Sequence, residues 1–302
     1  MKRSSRAGRL TQLERNQRTT GIFFILPSLV LCAIFMVVPL INVIRYSLTD
    51  WDGLSKTYNF VGLYNYMHLH EIEGFGEMML ATVTFAIGVT AITIIVSFLA
   101  ALALDKRGRD RLPRGLMRAL WFFPALLSGA VVGILWRIMY NGVINKIITS
   151  AGLPAVNWLE TRGVTNIAII IGAAWVQIGL CVVVFLAGLQ SIPQEMYEAA
   201  SIDGATPSQQ LKNITIPMMA SSITINVITT TIAAFKAYEL PYLISKGLPG
   251  HSTLLITQRI FFFGFQAFDY GRGSALSVVL LLIIALISLV QLVVLRKRED
   301  IF

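Results

Sequence analysis

The side chains that most often carry catalysis or bind metals form no recognisable set in this sequence. His68 and His70 lie two residues apart and precede Glu71, which could bind a metal ion, but no third ligand follows at the spacing of a zinc site. His251 is the remaining histidine, and no Ser/His/Asp or Cys/His set accompanies the three. A G-x-x-x-x-G-K-[ST] phosphate loop is also missing from the sequence. We therefore expect a chain that is not an enzyme and that binds neither a metal nor a nucleotide.

Polar and aromatic side chains within or at the ends of long apolar runs are a second group of candidates. A polar group inside a membrane-spanning segment is costly and is usually functional. The structural alternative is that threonine hydroxyls bond to the preceding helical turn and that tryptophan packs or anchors at the membrane surface. Lys236 and Glu239, three residues apart, are expected to pair with each other or to face the outer water layer. The candidates are Trp175, Gln177, Thr230, Phe235, Tyr238 and Glu239.

A polar stretch at residues 191–217 separates two apolar runs, and its pattern predicts two short helices joined at a glycine. Ser191 with Gln194, and Thr206 with Gln209, have the spacing of capping boxes at helix starts. Gly204 is predicted to end the first helix, because glycine readily adopts the left-handed conformation found there. We call residues 191–217 the docking loop.

The composition of the docking loop suits contact with another protein. Pro217 is predicted to end its second helix. Small residues such as Ala199 and Ala200 would let a partner approach the backbone closely. The alternative is a helix pair lying on lipid headgroups, but such helices carry a basic face and this loop has only Lys212. The apolar residues expected on one side of the first helix are Met196, Tyr197, Ala200 and Ile202.

The overall composition indicates an all-α, polytopic membrane protein. Hydrophobic residues make up 55% of the chain, charged residues make up 14%, and the mean hydropathy is +0.69. The net charge of +9 does not indicate nucleic-acid binding, because the cations lie at the ends of apolar runs. Cys32 and Cys181 fall inside predicted spans, so neither a disulfide nor a metal site is expected.

Six apolar runs are long enough to span a bilayer and leave no length for a soluble catalytic domain. The Lys- and Arg-rich segment at 106–118 follows the second span, so the positive-inside rule places it in the cytoplasm. The basic tail at 1–20, expected to lack a fixed fold, the docking loop and the C-terminus then also lie inside. Arg137 is expected near the outer end of the third span, where its side chain could snorkel to the surface. The predicted spans are 21–44, 79–104, 119–140, 166–189, 218–236 and 275–295.

The docking loop resembles the EAA loop of ATP-binding-cassette importer permeases. The matching string is Tyr-Glu-Ala-Ala at 197–200, followed by Asp-Gly-Ala at 203–205 and later by Ile214 and Pro217. In that family the loop forms coupling helices that sit in a cleft of the cytoplasmic ATPase. The resemblance implies a six-span type I importer permease fold, with a permease domain at 21–302. The coupling residues that it implies are Glu198, Ala199, Ala200, Asp203, Gly204 and Pro217.

Further blocks favour the carbohydrate branch, which is similar to the permeases for maltose, multiple sugars and glycerol-3-phosphate. They include Phe-Val-Gly-Leu at 60–63, Trp-Leu at 158–159 and Tyr-Gly at 270–271. The resemblance implies a second homologous permease, an ATPase dimer that binds ATP and Mg²⁺, and an extracytoplasmic solute-binding protein, in a bacterial or archaeal cytoplasmic (inner) membrane. It also places the sugar-contacting stretches at about 176–180 and 230–239. The outer loop at 45–78 lacks the large domain inserted in the maltose-type permease.

Two other functions remain open from the sequence. A secondary transporter or channel that works alone would explain six spans, but no Asp, Glu or His lies mid-span for coupling to protons or sodium. An importer for a non-sugar solute such as glycerol-3-phosphate would keep the mechanism and change only the cargo.

Overall fold

Residues 12–105 and 114–299 are described by a computed structural model, and this part of the chain is helical apart from its connections and one isolated β-bridge, between Thr49 and Phe60. The basic residues at 1–11 and 106–113 lie outside the described residues. The α-helices are α1 Gln12–Cys32, α2 Val38–Tyr46, α3 Tyr64–Met67, α4 Phe75–Leu104, α5 Arg114–Phe122, α6 Gly129–Ile138, α7 Ile144–Ser150, α8 Val164–Ser191, α9 Gln194–Ile202, α10 Pro207–Gln210, α11 Ile216–Met218, α12 Ala220–Phe235, α13 Glu239–Ser245, α14 Ile256–Phe265 and α15 Tyr270–Glu299.

Five stretches of the described chain are long and apolar enough to span a membrane, and a bent helix pair supplies a sixth. The pair is Pro207–Met218 with Ala220–Phe235, which meet at 66°. Single π-helical turns at Ala33–Val37 and Met139–Val143 join shorter helices into the first and third spans. The five unbent spans are Phe23–Tyr46, Phe75–Leu104, Gly129–Ser150, Val164–Ser191 and Tyr270–Arg296.

The third span differs from its prediction at 119–140. The helix ends at Phe122, and Phe123–Leu126 forms a 3₁₀ turn with Pro124 at its start, which cannot continue an α-helix. Ser128 then caps a new helix, because its Oγ accepts a hydrogen bond from the Val131 N–H at 3.4 Å. The span is therefore Gly129–Ser150, and Arg137 lies near its middle instead of near its outer end.

Several predicted boundaries also shift. The tail predicted to lack a fold is helical from Gln12, because adding a residue to an existing helix costs less than starting one. Ser191 does not cap α9: it is the last residue of α8, and its Oγ donates to the Gly188 carbonyl. Pro217 lies one residue before the end of the helix Pro207–Met218, close to its predicted end, and the chain bends at Met219.

Helix α8 is the centre of the packing. More than half of its most apolar stretch is buried, mainly against α4, whereas none of the first span's most apolar stretch is buried within the chain. One apolar cluster, the outer cluster, lies towards the helix ends that are far from the docking loop, which we call the outer ends, and includes Phe85 and Ile244. The other, the inner cluster, lies towards the docking loop and includes Phe185 and Leu189. These clusters hold the docking loop and the fifth span against the same central helix.

A glycine allows the 3₁₀ turn region to approach α8. A Cβ placed on Gly179 would lie 2.5 Å from the Trp121 carbonyl oxygen and 3.0 Å from the Phe122 Cα. Because both neighbours are backbone atoms, we expect Gly179→Ala to lower the free energy of unfolding by about 1–3 kcal/mol. Gly76→Ala is the control, since nothing lies within 4 Å of its Cβ position. Thermal unfolding in detergent should separate the two variants; equal melting temperatures would contradict the close approach.

Candidate docking loop and solute path

The first helix of the docking loop ends in a complete Schellman motif. Asp203 is the last half-helical residue, and Gly204 follows with φ of +78°. The Gly204 N–H donates to the Ser201 carbonyl at 3.1 Å, and the Ala205 N–H donates to the Ala200 carbonyl at 2.8 Å. The left-handed glycine thus satisfies two helix-end carbonyls and fixes the turn between the helices.

The second helix is held by the predicted capping box. The Thr206 N–H donates to Gln209 Oε1 at 2.7 Å, and the Gln209 N–H donates back to Thr206 Oγ1 at 3.4 Å. Gln210 Nε2 donates to Ser201 Oγ at 2.9 Å and ties the two helices together. At the base of the loop, Tyr197 Oη and Thr215 Oγ1 lie 2.9 Å apart in a hydrogen bond.

The outward surface of the docking loop is exposed. Glu198, Ala199, Asp203 and Gly204 are exposed, whereas Ala200 and Pro217 are half-buried. The apolar residues of the first helix do not share one side, because Tyr197 packs into the inner cluster while Ile202 is 87% exposed. An apolar tip on an internally rigid helix pair is suited to entering a cleft on another protein.

The six candidate path residues fall into three pairs. Thr230 is 2% exposed, with its Oγ1 3.4 Å from Cys181 Sγ, and Phe235 is buried in the outer cluster. Trp175 and Gln177 are half-buried on α8, and Trp175 makes an edge-on contact with Trp136 at 5.8 Å between ring centroids. The remaining two, Tyr238 and Glu239, follow the end of α12.

Tyr238 and Glu239 lie where the fifth span reaches its outer end. The Tyr238 ring centroid lies 4.9 Å from that of Phe261. Burial raises the pKa of the Tyr238 phenol, and the charges of Tyr242 and Glu239 raise this pKa further, so the hydroxyl stays protonated at neutral pH. Glu239 is exposed and begins α13. The expected pair with Lys236 does not form within the described residues, because α12 ends at Phe235 and the two residues do not share a helix.

A mostly apolar cavity with three polar side chains lies between α4, α12 and α15, and the sequence did not predict it. Its volume is about 380 Å³, and its lining includes Thr90, Thr231, Phe235 and Gln291. Gln291 Nε2 donates to Thr231 Oγ1 at 3.0 Å, while Gln291 Oε1 is shielded from water and has no hydrogen-bond partner among the described residues. The available signal was a glutamine inside an apolar run.

The outer loop after the first span is ordered by its carboxylates. Asp52 accepts hydrogen bonds from Ser55 Oγ, at 2.6 Å, and from the Ser55 and Leu54 N–H groups, which together lower its pKa to about 2. In the next segment, His70 Nδ1 forms a hydrogen bond with the Met67 carbonyl. Within the described residues, no group of three His, Cys, Asp or Glu side chains could hold a metal ion.

We expect this loop to lose order only in strong acid. Because the pKa of Asp52 is depressed in the folded protein, its contribution to stability is present above the usual value of 3.8 and is lost as the pH falls through about 2. Trp51 reports the change, since its Nε1 donates to the Ser55 carbonyl at 2.9 Å. Its fluorescence should stay constant from pH 7 to 4 and shift below that; Asp52→Asn should remove the shift, and an unchanged titration would contradict the role of the carboxylate.

A family model for "Binding-protein-dependent transport system inner membrane component" matches residues 93–299, which is more than half of the chain and includes the docking loop. This chain belongs to that family. The starch degradation products permease AmyD of Thermoanaerobacterium thermosulfurigenes, described as probable, is 31% identical over 91% of this chain and 94% of its own length. The trehalose/maltose permease MalF of Thermococcus litoralis is 31% identical over 96% and 98%.

Solved structures agree with the fold. A bacterial ABC transporter for import of the acidic polysaccharide alginate matches with a TM-score of 0.79 over 95% of this chain and 99% of its own, at 19% identity. A second alginate transporter structure, in complex with a pentasaccharide-bound periplasmic protein, matches with a TM-score of 0.78 over 98% and 99%, at 18% identity. The predictions of an importer permease from the carbohydrate branch and of its polytopic helical fold are confirmed.

Proposed function

We propose that this chain is the transmembrane subunit of an ATP-driven importer for a sugar or oligosaccharide. The observation that carries the proposal is the docking loop, whose two helices are fixed by the Schellman motif and the capping box and present an exposed apolar tip. Starch products, trehalose and maltose in the names of relatives support a saccharide cargo. ATP and Mg²⁺ would bind in a partner ATPase and not in this chain.

The proposed assembly contains a second permease, two copies of the ATPase and an extracytoplasmic solute-binding protein. ATP-driven closure of the ATPase dimer would move the docking loop, and the bent fifth span would pass that movement to the solute path. Exposed atoms of Trp175, Gln177, Tyr238 and Glu239 are the proposed contacts with the solute, whereas buried Thr230 and Phe235 would shape the path from behind. Both termini and the docking loop would face the cytoplasm of a bacterium or archaeon.

The first test is affinity purification of the tagged chain in mild detergent, followed by an assay of ATP hydrolysis with and without saccharides and binding protein. Recovery of an ATPase and a second permease, with hydrolysis stimulated by a saccharide, is the expected result. Stimulation by glycerol-3-phosphate alone would change the cargo and keep the mechanism.

The competing function is a carrier that works alone on an ion gradient. Uptake measured with an uncoupler while cellular ATP is maintained separates the two, because an ATP-driven importer should keep its rate. A stable solitary chain whose uptake collapses with the gradient would overturn the proposal.

A further inference from the structure

Six aromatic rings follow one another across the outer ends of the helices. They come from three segments far apart in sequence: the outer loop after the first span, the region after α12, and α14 with the start of α15. Successive ring centroids lie 5.9, 4.9, 4.9, 6.2 and 5.2 Å apart. We call this series the aromatic track; in spatial order it consists of Tyr242, Tyr238, Phe261, Phe265, Tyr270 and Trp51.

The aromatic track is open to its surroundings and held in place. Phe265 is 61% exposed, and none of the six rings is buried. Trp51 is fixed by its hydrogen bond to the Ser55 carbonyl and by Tyr46, whose ring centroid lies 4.2 Å away. The Tyr270 ring fills the space beside Gly53, where a Cβ would lie 2.2 Å from it. Rings fixed before a ligand arrives lose little freedom on binding.

The chemistry of the aromatic track suits a carbohydrate chain. The C–H faces of a pyranose ring pack against the electron-rich faces of aromatic rings, and the ring spacing is comparable with the length of one sugar unit. Exposed side chains of Glu239 and Gln266, together with the Tyr238 and Tyr242 hydroxyls, lie at or beside the rings and can bond to sugar hydroxyls. Aromatic residues that only anchor a protein in lipid need not touch one another, whereas here each ring meets the next.

We propose that the aromatic track binds an extended oligosaccharide on the outer side of the membrane and leads it to Tyr238, at the mouth of the solute path. This inference rests on the proposed function. Each stacking contact is weak and tolerant of sugar identity, as base stacking is in single-stranded nucleic acid channels. Contacts along one chain add up, so the aromatic track favours long saccharides and contributes little to a disaccharide.

The test uses the complete complex in proteoliposomes with its binding protein. The probes are linear α-1,4-glucose and β-1,4-N-acetylglucosamine oligomers of two and seven units. Phe265→Ala should raise the half-saturating concentration of the heptasaccharide at least fivefold and that of the disaccharide less than twofold, with an unchanged maximum rate. Phe268→Ala is the matched control, because Phe268 is 50% exposed in the same region and meets no other ring among the described residues.

Direct binding gives a second readout. The heptasaccharide should shift the tryptophan fluorescence of the complex, and Trp51→Phe should remove that component. Three results would overturn the proposed role of the aromatic track while leaving the importer function intact. They are equal effects of Phe265→Ala on the short and long probes, equal effects of Phe265→Ala and Phe268→Ala, and transport limited to disaccharides. A wild-type complex that takes up no saccharide would overturn the proposed function and the aromatic track with it.

Discussion

Replacing Gly204 by valine is expected to abolish uptake while the protein still inserts into the membrane and is recovered in normal amount. The residue has φ of +78°, and nothing lies within 4 Å of its Cβ position, so the change acts through the backbone and not through a clash. A β-branched residue in the left-handed conformation costs about 1–2 kcal/mol, which is enough to unwind a short exposed turn. Both Schellman hydrogen bonds would be lost and the exposed tip displaced.

Two control variants isolate this effect. Gly204→Asn should retain much of the uptake, because asparagine tolerates the left-handed conformation. Gly152 has the same φ of +78° and the same open surroundings but lies in an outer loop, so Gly152→Val imposes equal strain away from the docking loop and should leave uptake nearly intact. Normal uptake by well-expressed Gly204→Val protein would refute the docking role.

Reversing the charge of an exposed docking-loop residue should also impair uptake, without straining the backbone. Glu198 is exposed in the middle of α9, so Glu198→Lys should not unfold the chain. We expect the ATPase to be lost from detergent pull-downs and uptake to fall at least tenfold. Retention of the ATPase with normal uptake would exclude Glu198 from the contact.

Replacing Arg137 by methionine is expected to stabilise the isolated chain and to impair the assembled transporter. Arg137 lies near the middle of the third span, and its Nη1 is shielded from water without a hydrogen-bond partner among the described residues. A guanidinium nitrogen that is shielded from water without a partner costs free energy, so an apolar side chain of similar length should raise the melting temperature in detergent by about 2–4 °C. Since an ionisable residue inside a span is usually functional, we expect uptake to fall at least tenfold.

Helix α13 packs closely against the face of α6 that carries Arg137. This face also carries Gly129 and Gly133, at four-residue spacing, and the two glycines let α13 approach. A Cβ on Gly129 would lie 3.1 Å from Glu239 Oε2. Arg162→Met is the control, because Arg162 is exposed and its pair with Glu77, at 3.1 Å, contributes little. A lower melting temperature for Arg137→Met than for wild type would show that the guanidinium is already compensated.

The sequence predicted the features that depend on local pattern. Apolar length located the spans, and the spacing of Thr206 and Gln209 predicted a capping box that forms. The predictions were wrong where neighbouring segments compete. The third span was predicted to run through Pro124, but the helix breaks there and a new helix begins after Ser128, which caps it. Helix α8 extends through Ser191, because adding a residue to a helix costs less than starting a new one. The shielding of Arg137 Nη1 and the aromatic track depend on segments that meet only in space.

The bend at Met219 determines how movement can pass through this chain. Met219 is fully buried in the inner cluster, so the 66° corner between the docking loop and α12 is packed on its inner side and cannot act as a free joint. Because the angle at this corner is held by packing, a displacement of the docking loop would rotate α12 with it. α12 is about 24 Å long at 1.5 Å per residue, so a tilt of 10° at the corner would displace its outer end, beside Tyr238, by about 4 Å. The fifth span would thus convert a small displacement of the docking loop into a larger sideways displacement at its opposite end.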